Sequence, residues 1–455
     1  MGWRMYPLLA GVNHGPGTWP SLPSRVARPD TGGPRMEIEL ITIGTELLLG
    51  QVLDTHQQWL GQRLAERGCP LSRKLTVPDN GPAICGAVQT ALGRTDLVIT
   101  TGGLGPTSDD VTRGLLADLL ARPLGPDASV AVHIEGFFER RNRPMAGSVL
   151  VQAQVPEGAV VFPNEHGTAP GLAIEASPNP FQAGGGSAWL IMLPGPPREL
   201  RPMFDDQVLP FINKYLPLEK EFHCRILRSL GIGESMVEEM LLGPLQPLMD
   251  RGLELGFCAR IGQVDIRLSG SGPGMPAIIA EAEAAIRAAI GKHIYGTGDE
   301  TIGQAVVGRL IATGETVAGA ESCTGGFLGH HITNVPGASA VFAAGVVTYS
   351  NAMKQKLLGV NESTLARHGA VSKPVALEMA KGALAVSGAD HALSVTGIAG
   401  PAGGTPDKPV GTVWLGWASR GRRPLAVRKF HPFDREAFKH ATVHQALELL
   451  RRRLQ

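Results

Sequence analysis

Short apolar runs alternate with amphipathic stretches along most of the chain, and that alternation predicts a layered α/β protein. Ile38 to Ile43 predicts a buried strand, and Asp54 to Glu66 predicts a helix with Trp59, Leu60 and Leu64 on one face and Gly68 as its stop. Leu97-Val98-Ile99 predicts a second strand that runs into a glycine-rich turn, and Val111 to Leu120 predicts the next helix. Strand, helix, strand, glycine turn, helix is the order of a parallel sheet. Leu172 to Glu175 and Trp189 to Leu193 read as paired strands. They are split by Ser177-Pro178-Asn179-Pro180 and Gly184-Gly185-Gly186-Ser187, a surface loop whose composition gives little reason for order.

From roughly 215 to 295 the pattern gives a strand at Phe222 to Leu230, a helix at Glu234 to Leu242, an alternating strand at Gln263 to Leu268 and an Ala-rich helix at Met275 to Ala289. Four elements in so short a span predict a small α+β module. A third block opens with a helix at Ile302 to Ala312, followed by strands at Ala343 to Thr348, Ala392 to Val395 and Thr412 to Trp417. Ser372 is placed to cap a helix with Pro374 in its first turn, and Asp434 to cap a closing helix that reaches Leu450. The first 35 residues are rich in Pro, Gly, Ser and Arg; they read as a disordered extension, with Met36 as a possible true start immediately before the first strand.

Composition narrows the function classes. The 42 Lys+Arg against 41 Asp+Glu leave a formal charge of +1, which argues against a nucleic-acid or anionic-membrane binder. No run reaches the ~18 apolar residues of a membrane helix. Five scattered cysteines, odd in number and without a CxxC pair, argue against a disulfide framework or structural zinc and fit a reducing cytoplasm. Arg451-Arg452-Arg453 reads as a solvated helix end, and His330-His331, adjacent on a helix and facing apart, do not read as a two-His metal pair.

Two turns carry candidate chemistry. Glu321-Ser322-Cys323-Thr324-Gly325-Gly326 joins the apolar run Thr316 to Ala320 to a helix that starts at Phe327, placing a hydroxyl and a thiol where unpaired N–H groups favour an anion. The plainer reading of its Ser is an N-cap. Thr100-Thr101-Gly102-Gly103-Leu104-Gly105-Pro106-Thr107-Ser108-Asp109-Asp110 also lies between a strand and a helix. Its glycines let backbone approach a phosphate, and the Asp109-Asp110 pair suits a hard cation such as Mg²⁺, although one Asp alone would serve as a cap. Gly44-Thr45-Glu46 ends the first strand at the same sheet edge, where open α/β sheets bind ligands.

These motifs carry a family resemblance. Ile43 to Gly50, Thr101 to Asp110, Asn164 to Gly171 and Leu193 to Pro197 resemble the molybdopterin-binding-like domain of the CinA (competence/damage-inducible protein) family. Glu321 to Gly326, Tyr349-Ser350-Asn351, Gly369 to Ser372, Gly397 to Pro401 and Lys408 to Thr412 resemble its C-terminal nicotinamide-nucleotide amidase domain. The resemblance covers about 36 to 450. It implies a doubly wound molybdopterin-binding-like domain at 36–210, a KH-like module at 215–295 and an α/β amidase domain at 300–455. It also implies a cytoplasmic homodimer of pyridine-nucleotide salvage. The C-terminal domain would deamidate nicotinamide mononucleotide without a cofactor; the N-terminal domain would hydrolyse ADP-ribose with a divalent metal (Mg, Mn or Co).

Under that resemblance Ser322 is the first candidate nucleophile and Ser339 the second, with Lys354 as base and Tyr349 as a proton relay or amide-orienting group. Thr324, Gly325, Gly326, Thr396 and Gly397 would receive the nucleotide there. Gly44, Thr101, Gly102, Gly103 and Gly105 would receive it in the N-terminal domain, with Asp109, Asp110 and Glu46 on the metal. Cys323 reads as a core residue. Two departures stand out: Ala352-Met353 replaces the family's Glu-Ala before the lysine, and His56 replaces its Asn. A molybdopterin- or nucleotide-binding role and a non-enzymatic DNA-uptake role are the alternatives; the lack of a GxxG loop between 210 and 290 weighs against the latter.

Overall fold

The protein is described by a computed structural model covering residues 36–218 and 221–454, so the expected extension at 1–35 lies outside the described residues. Three main sheets follow one another along the chain. The first has six strands in the spatial order Arg73–Val77, Ile38–Ile43, Leu97–Thr101, Ala188–Leu193, Gly171–Ala176, Val160–Phe162. The first four are parallel and the last two antiparallel. Ile38, Leu40 and Ile41 are fully buried because helices cover both faces, as a parallel sheet requires. The strand order turns back on itself at Ile38–Ile43, so the following loops open a crevice at the carboxyl edge.

The middle sheet is antiparallel, ordered Glu254–Arg260, Gln263–Ser271, Phe222–Leu230, Ile294–Thr297, with the helices Glu234–Met249 and Met275–Ile290 packed on it. The first helix runs past its expected end, through Pro244 and Pro247. Its apolar stripe Val237, Leu241, Leu245 and Leu248 is buried at helical spacing, and that burial offsets the ~3 kcal/mol an interior proline costs.

The third sheet is ordered Phe342–Val347, Val317–Glu321, His391–Gly397, Thr412–Ser419, Arg422–Phe430; the first three strands are parallel, the rest antiparallel. The closing helix Arg435–Arg451 begins where Asp434 accepts the amides of Glu436 and Ala437, as its sequence predicts. No described helix is long and apolar enough to cross a membrane.

Three local expectations are corrected, and one alternative, the Asp cap, falls. The loop between Ala176 and Ala188 is pinned, because buried Asn179 donates to Leu92 O and its own amide donates to Gly186 O. Ser372 stands at the N-cap position of Lys373–Ser387 without capping it; its hydroxyl donates to Gly369 O instead. Neither Asp109 nor Asp110 caps the helix Thr112–Leu119, whose N-cap is Val111. Arg451 is buried rather than solvated, paired with Glu448 at 2.6 Å and donating to Lys292 O at 2.8 Å.

Candidate active sites

In the C-terminal domain the carboxyl edge of the sheet assembles the first site. Ser322 leaves Val317–Glu321 and donates its amide to Val395 O on the next strand, while Thr348 at the end of the other neighbour donates to Glu321 O. Ser350 then caps the helix Asn351–Leu358 by accepting the Met353 amide, and the inward face of that helix is Lys354 and Leu358. Lys354 is thereby buried with Nζ 3.0 Å from Ser322 Oγ, 2.8 Å from Thr348 O and 3.4 Å from Tyr349 O. It has no ion-pair partner among the described residues. Burial pushes its pKa below the ordinary lysine range, with the neighbouring Cys323 acting weakly in the opposite direction. Nζ donates to all three oxygens; in the neutral amine two N–H groups would serve the carbonyls and the lone pair would accept the Ser322 hydroxyl.

Glu321 fixes the turn. Its carboxylate accepts the amides of Gly326, Leu328 and Gly329 at 2.9–3.0 Å, so the start of the helix Phe327–Thr333 is already occupied by a side chain. The Gly326 amide is therefore not free for an oxyanion, contrary to expectation, and the Gly325 amide donates to Ser322 O. The Thr324 amide is left without a partner among the described residues, while the Cys323 amide lies against its own thiol. Ser322 does not cap the helix; the N-cap position is Gly326, with φ 99°, and Glu321 takes the amides that a capping side chain would. Cys323 packs into the core, where burial pushes its thiol up to about 12, which makes it inert as a nucleophile at neutral pH.

The other expected residues are placed differently. Val317 pairs with Phe342 and Glu321 with Val347, so Ser322 stands at one edge of the sheet and exposed Ser339, in the short helix Ala338–Ala340, before the other. Five residues of strand separate the two levels, roughly 16 Å. Tyr349 is 64% exposed and its hydroxyl accepts from Arg435, so only its backbone carbonyl meets Lys354. Arg435 also donates to Gly400 O, tying Tyr349 to the loop that follows the strand His391–Gly397. Thr396 lies one position beyond Val395 but donates its hydroxyl to Ala370 O, and Gly397 is packed so closely that a Cβ would meet Thr412 O at 2.9 Å. The Thr324 hydroxyl is fully buried without a partner. Ala352, where the family carries Glu, is exposed on the helix face away from Lys354.

In the N-terminal domain a cleft of about 540 Å³ opens at the carboxyl edge and gathers Glu46, Thr101, Gly102, Gly103, Gly105, Asp109 and Asp110, as expected. Gly44 lies behind it, donating its amide to Val77 O. Gly102, at φ 102°, brings the loop so near the first strand that a Cβ would sit 2.5 Å from Ile43 O. Asp110 accepts both the amide and the hydroxyl of Thr107, closing the loop on itself, while Asp109 is exposed at the cleft.

Sequence reasoning missed three residues of the cleft wall, Asp54, Asp79 and Glu199; His56, singled out as a departure from the family pattern, lines it as well. Burial works against ionisation of Asp54, but the bond and charge of Lys74, with the amides of His56 and Gln57, hold its carboxyl below the usual range. His56, the replacement for the family's Asn, is buried with Nε2 2.6 Å from Gly195 O; burial lowers its pKa. Asp79 accepts the Thr45 amide, and Glu199 accepts from buried Asn164. The signal for Asp79 was its place just after a strand, but that strand, Arg73–Val77, was itself not recognised.

The oxygen-only donor set fits a hard cation. Asp109, Asp110 and Glu46 do not form a ready three-ligand cluster; the one His/Cys/Asp/Glu cluster of that kind among the described residues is His331, His440 and His444. One or two carboxylates completed by substrate phosphate is the usual arrangement for Mg²⁺.

Three family models match the chain: "Probable molybdopterin binding domain" over 39–214, "Damage-inducible protein CinA KH domain" over 224–296 and "CinA C-terminal domain" over 299–454. A CinA-like protein of Akkermansia muciniphila is 45% identical over 413 residues, covering 91% of this chain and 96% of that protein. A putative competence-damage inducible protein of Symbiobacterium thermophilum is 44% identical over 434 residues, covering 92% and 99%. Among solved structures, the competence/damage inducible protein CihA from Agrobacterium tumefaciens is 43% identical, covers 33% of this chain and 91% of its own, and has a TM-score of 0.32. The molybdopterin-binding-like domain, the KH-like module and the CinA C-terminal domain thus follow in order, and the chain belongs to the CinA family.

Proposed function

We propose that the C-terminal domain is an amidase of pyridine-nucleotide salvage that hydrolyses nicotinamide mononucleotide to nicotinate mononucleotide and ammonia. The observation that carries this reading is the buried, unpaired Lys354 with Nζ 3.0 Å from Ser322 Oγ. Neutral Lys354 takes the Ser322 proton as Oγ attacks the amide carbon. The Thr324 amide of the same turn would donate to the oxyanion. As the tetrahedral intermediate collapses, Lys354 returns the proton to the leaving nitrogen and ammonia departs. Water, deprotonated by the same amine, then cleaves the acyl-serine ester.

The test is ammonia release from nicotinamide mononucleotide by purified protein. Ser322→Ala and Lys354→Ala are each expected to lower the rate by at least ~10²-fold. Ser339→Ala is expected to leave most of it, since Ser339 stands at the opposite sheet edge. A wild type that releases no ammonia would sink the reading.

For the N-terminal domain the same reading gives metal-dependent hydrolysis of ADP-ribose, supported by the acidic, glycine-lined cleft. Asp109 and Asp110, with Glu46 at the rim, would hold the cation, which when bound neutralises pyrophosphate charge. The glycine loop from Gly102 to Gly105 brings backbone close to the phosphates. AMP release with added Mg²⁺, Mn²⁺ or Co²⁺ measures this activity, and its persistence in Asp109→Ala combined with Asp110→Ala would remove those carboxylates from the site.

A further inference from the structure

We propose that His331, His440 and His444 form a binding site for one divalent transition-metal ion of the zinc class, separate from both clefts, with a coordination position open toward the junction of the C-terminal domain and the middle module. One potential ligand atom from each ring lies within 4.8 Å of the other two. His440 and His444 are four residues apart on the closing helix Arg435–Arg451 and so share a face, while His331 comes from Phe327–Thr333, the helix that follows the Ser322 turn. The adjacent His330 faces elsewhere, stacked on Phe327 and 2.9 Å from Asn334, so the third ligand is supplied across space rather than by the neighbour in sequence.

Three features distinguish this cluster from a chance meeting of rings. His331 Nδ1 is 3.0 Å from Phe327 O, so it carries the proton and leaves Nε2 free, the orientation that a backbone carbonyl gives a metal-bound imidazole. His444 Nδ1 is buried without a partner. Phe327 packs edge-on against His331 and His440, at ring-centre distances of 4.4 and 4.6 Å, an apolar wall on one side. On another side His331 and His444 line a cavity of about 460 Å³ that is also bounded by Arg228, Arg260 and Tyr295 of the middle module.

Imidazole-only sites suit zinc, nickel, copper or cobalt rather than Mg²⁺ or Ca²⁺. Tetrahedral binding at ~2.05 Å needs nitrogens about 3.3 Å apart, so the rings close by up to about 1.5 Å on loading. Three protein ligands leave the fourth position for water or an exogenous ligand entering from the cavity. Coordination would clamp the helix after the Ser322 turn to the closing helix.

The test uses full-length, untagged protein stripped with chelator and titrated with Co²⁺ in excess Mg²⁺, which occupies any carboxylate site. Wild type is expected to bind one Co²⁺ per chain, with the intense visible bands of a low-coordinate nitrogen site, and to lose them stoichiometrically on adding Zn²⁺. His331→Gln, His440→Gln and His444→Gln should each weaken binding by at least about tenfold. Asp109→Ala combined with Asp110→Ala should leave it unchanged. Zn²⁺ should raise the melting temperature of wild type and not of His440→Gln. A wild type without the cobalt bands overturns the proposal whatever the variants do, and so does equal binding by wild type and a folded His440→Gln.

Discussion

Lys354 shows what burial does to one side chain. Its amine is out of water without a carboxylate partner among the described residues, so the charged form is disfavoured and its pKa falls. The sign follows for catalysis: kcat/KM for amide hydrolysis should rise with pH as Lys354 loses its proton, and level off below the ordinary lysine range. It follows for stability as well. Between the folded and unfolded pKa values the unfolded chain holds the extra proton, so stability rises with pH there; below the folded value both states are protonated and the folded state bears the whole cost. Lys354→Met removes that titration. The stability of wild type relative to Lys354→Met, measured by urea unfolding, should therefore improve as pH rises from neutrality toward the lysine range. A pH-independent difference would show that the charged form is not strained.

At the scale of elements, the helix Phe327–Thr333 owes its start to Glu321 rather than to a conventional Ser or Thr cap. One carboxylate accepts three amides there and anchors the Ser322 turn from below. Glu321→Gln keeps the shape but loses the charge that favours a helix N-terminus, and should cost about 1–3 kcal/mol in denaturant unfolding. The amidase rate should fall with it, because Ser322 is the next residue. The elements also show where sequence patterning fails. Arg73–Val77, Glu254–Arg260 and Arg422–Phe430 are not marked by apolar periodicity, and each is an edge strand. Edge strands keep charge and exposure on much of their surface, so their pattern is diluted. Ile38–Ile43, central and fully buried, is read from sequence to the residue.

Across the whole molecule, the closing helix joins the C-terminal domain to the middle module. Buried Arg451 is paired with Glu448, donates to Lys292 O, and its own carbonyl accepts from Arg309. Glu448→Ala leaves the guanidinium buried and unpaired, and should destabilise by about 3–5 kcal/mol. A clear drop in the melting temperature checks this; a change no larger than that of a surface substitution would place Arg451 in water.

The sequence by itself determined the α/β character, the order of the three blocks, the two glycine turns and the family, because buried periodicity and turn chemistry are local properties of the chain. It also paired Ser322 with Lys354 through a resemblance, without showing why that lysine would act as a base. Only the tertiary structure decided the rest. It buried Lys354 against Ser322, sent Ser339 to the far edge of the sheet, and gave the helix amides to Glu321. It also brought His331 to His440 and His444 across more than a hundred residues. Burial, sheet register and the meeting of distant side chains depend on how elements pack, and packing is written in no single stretch of sequence.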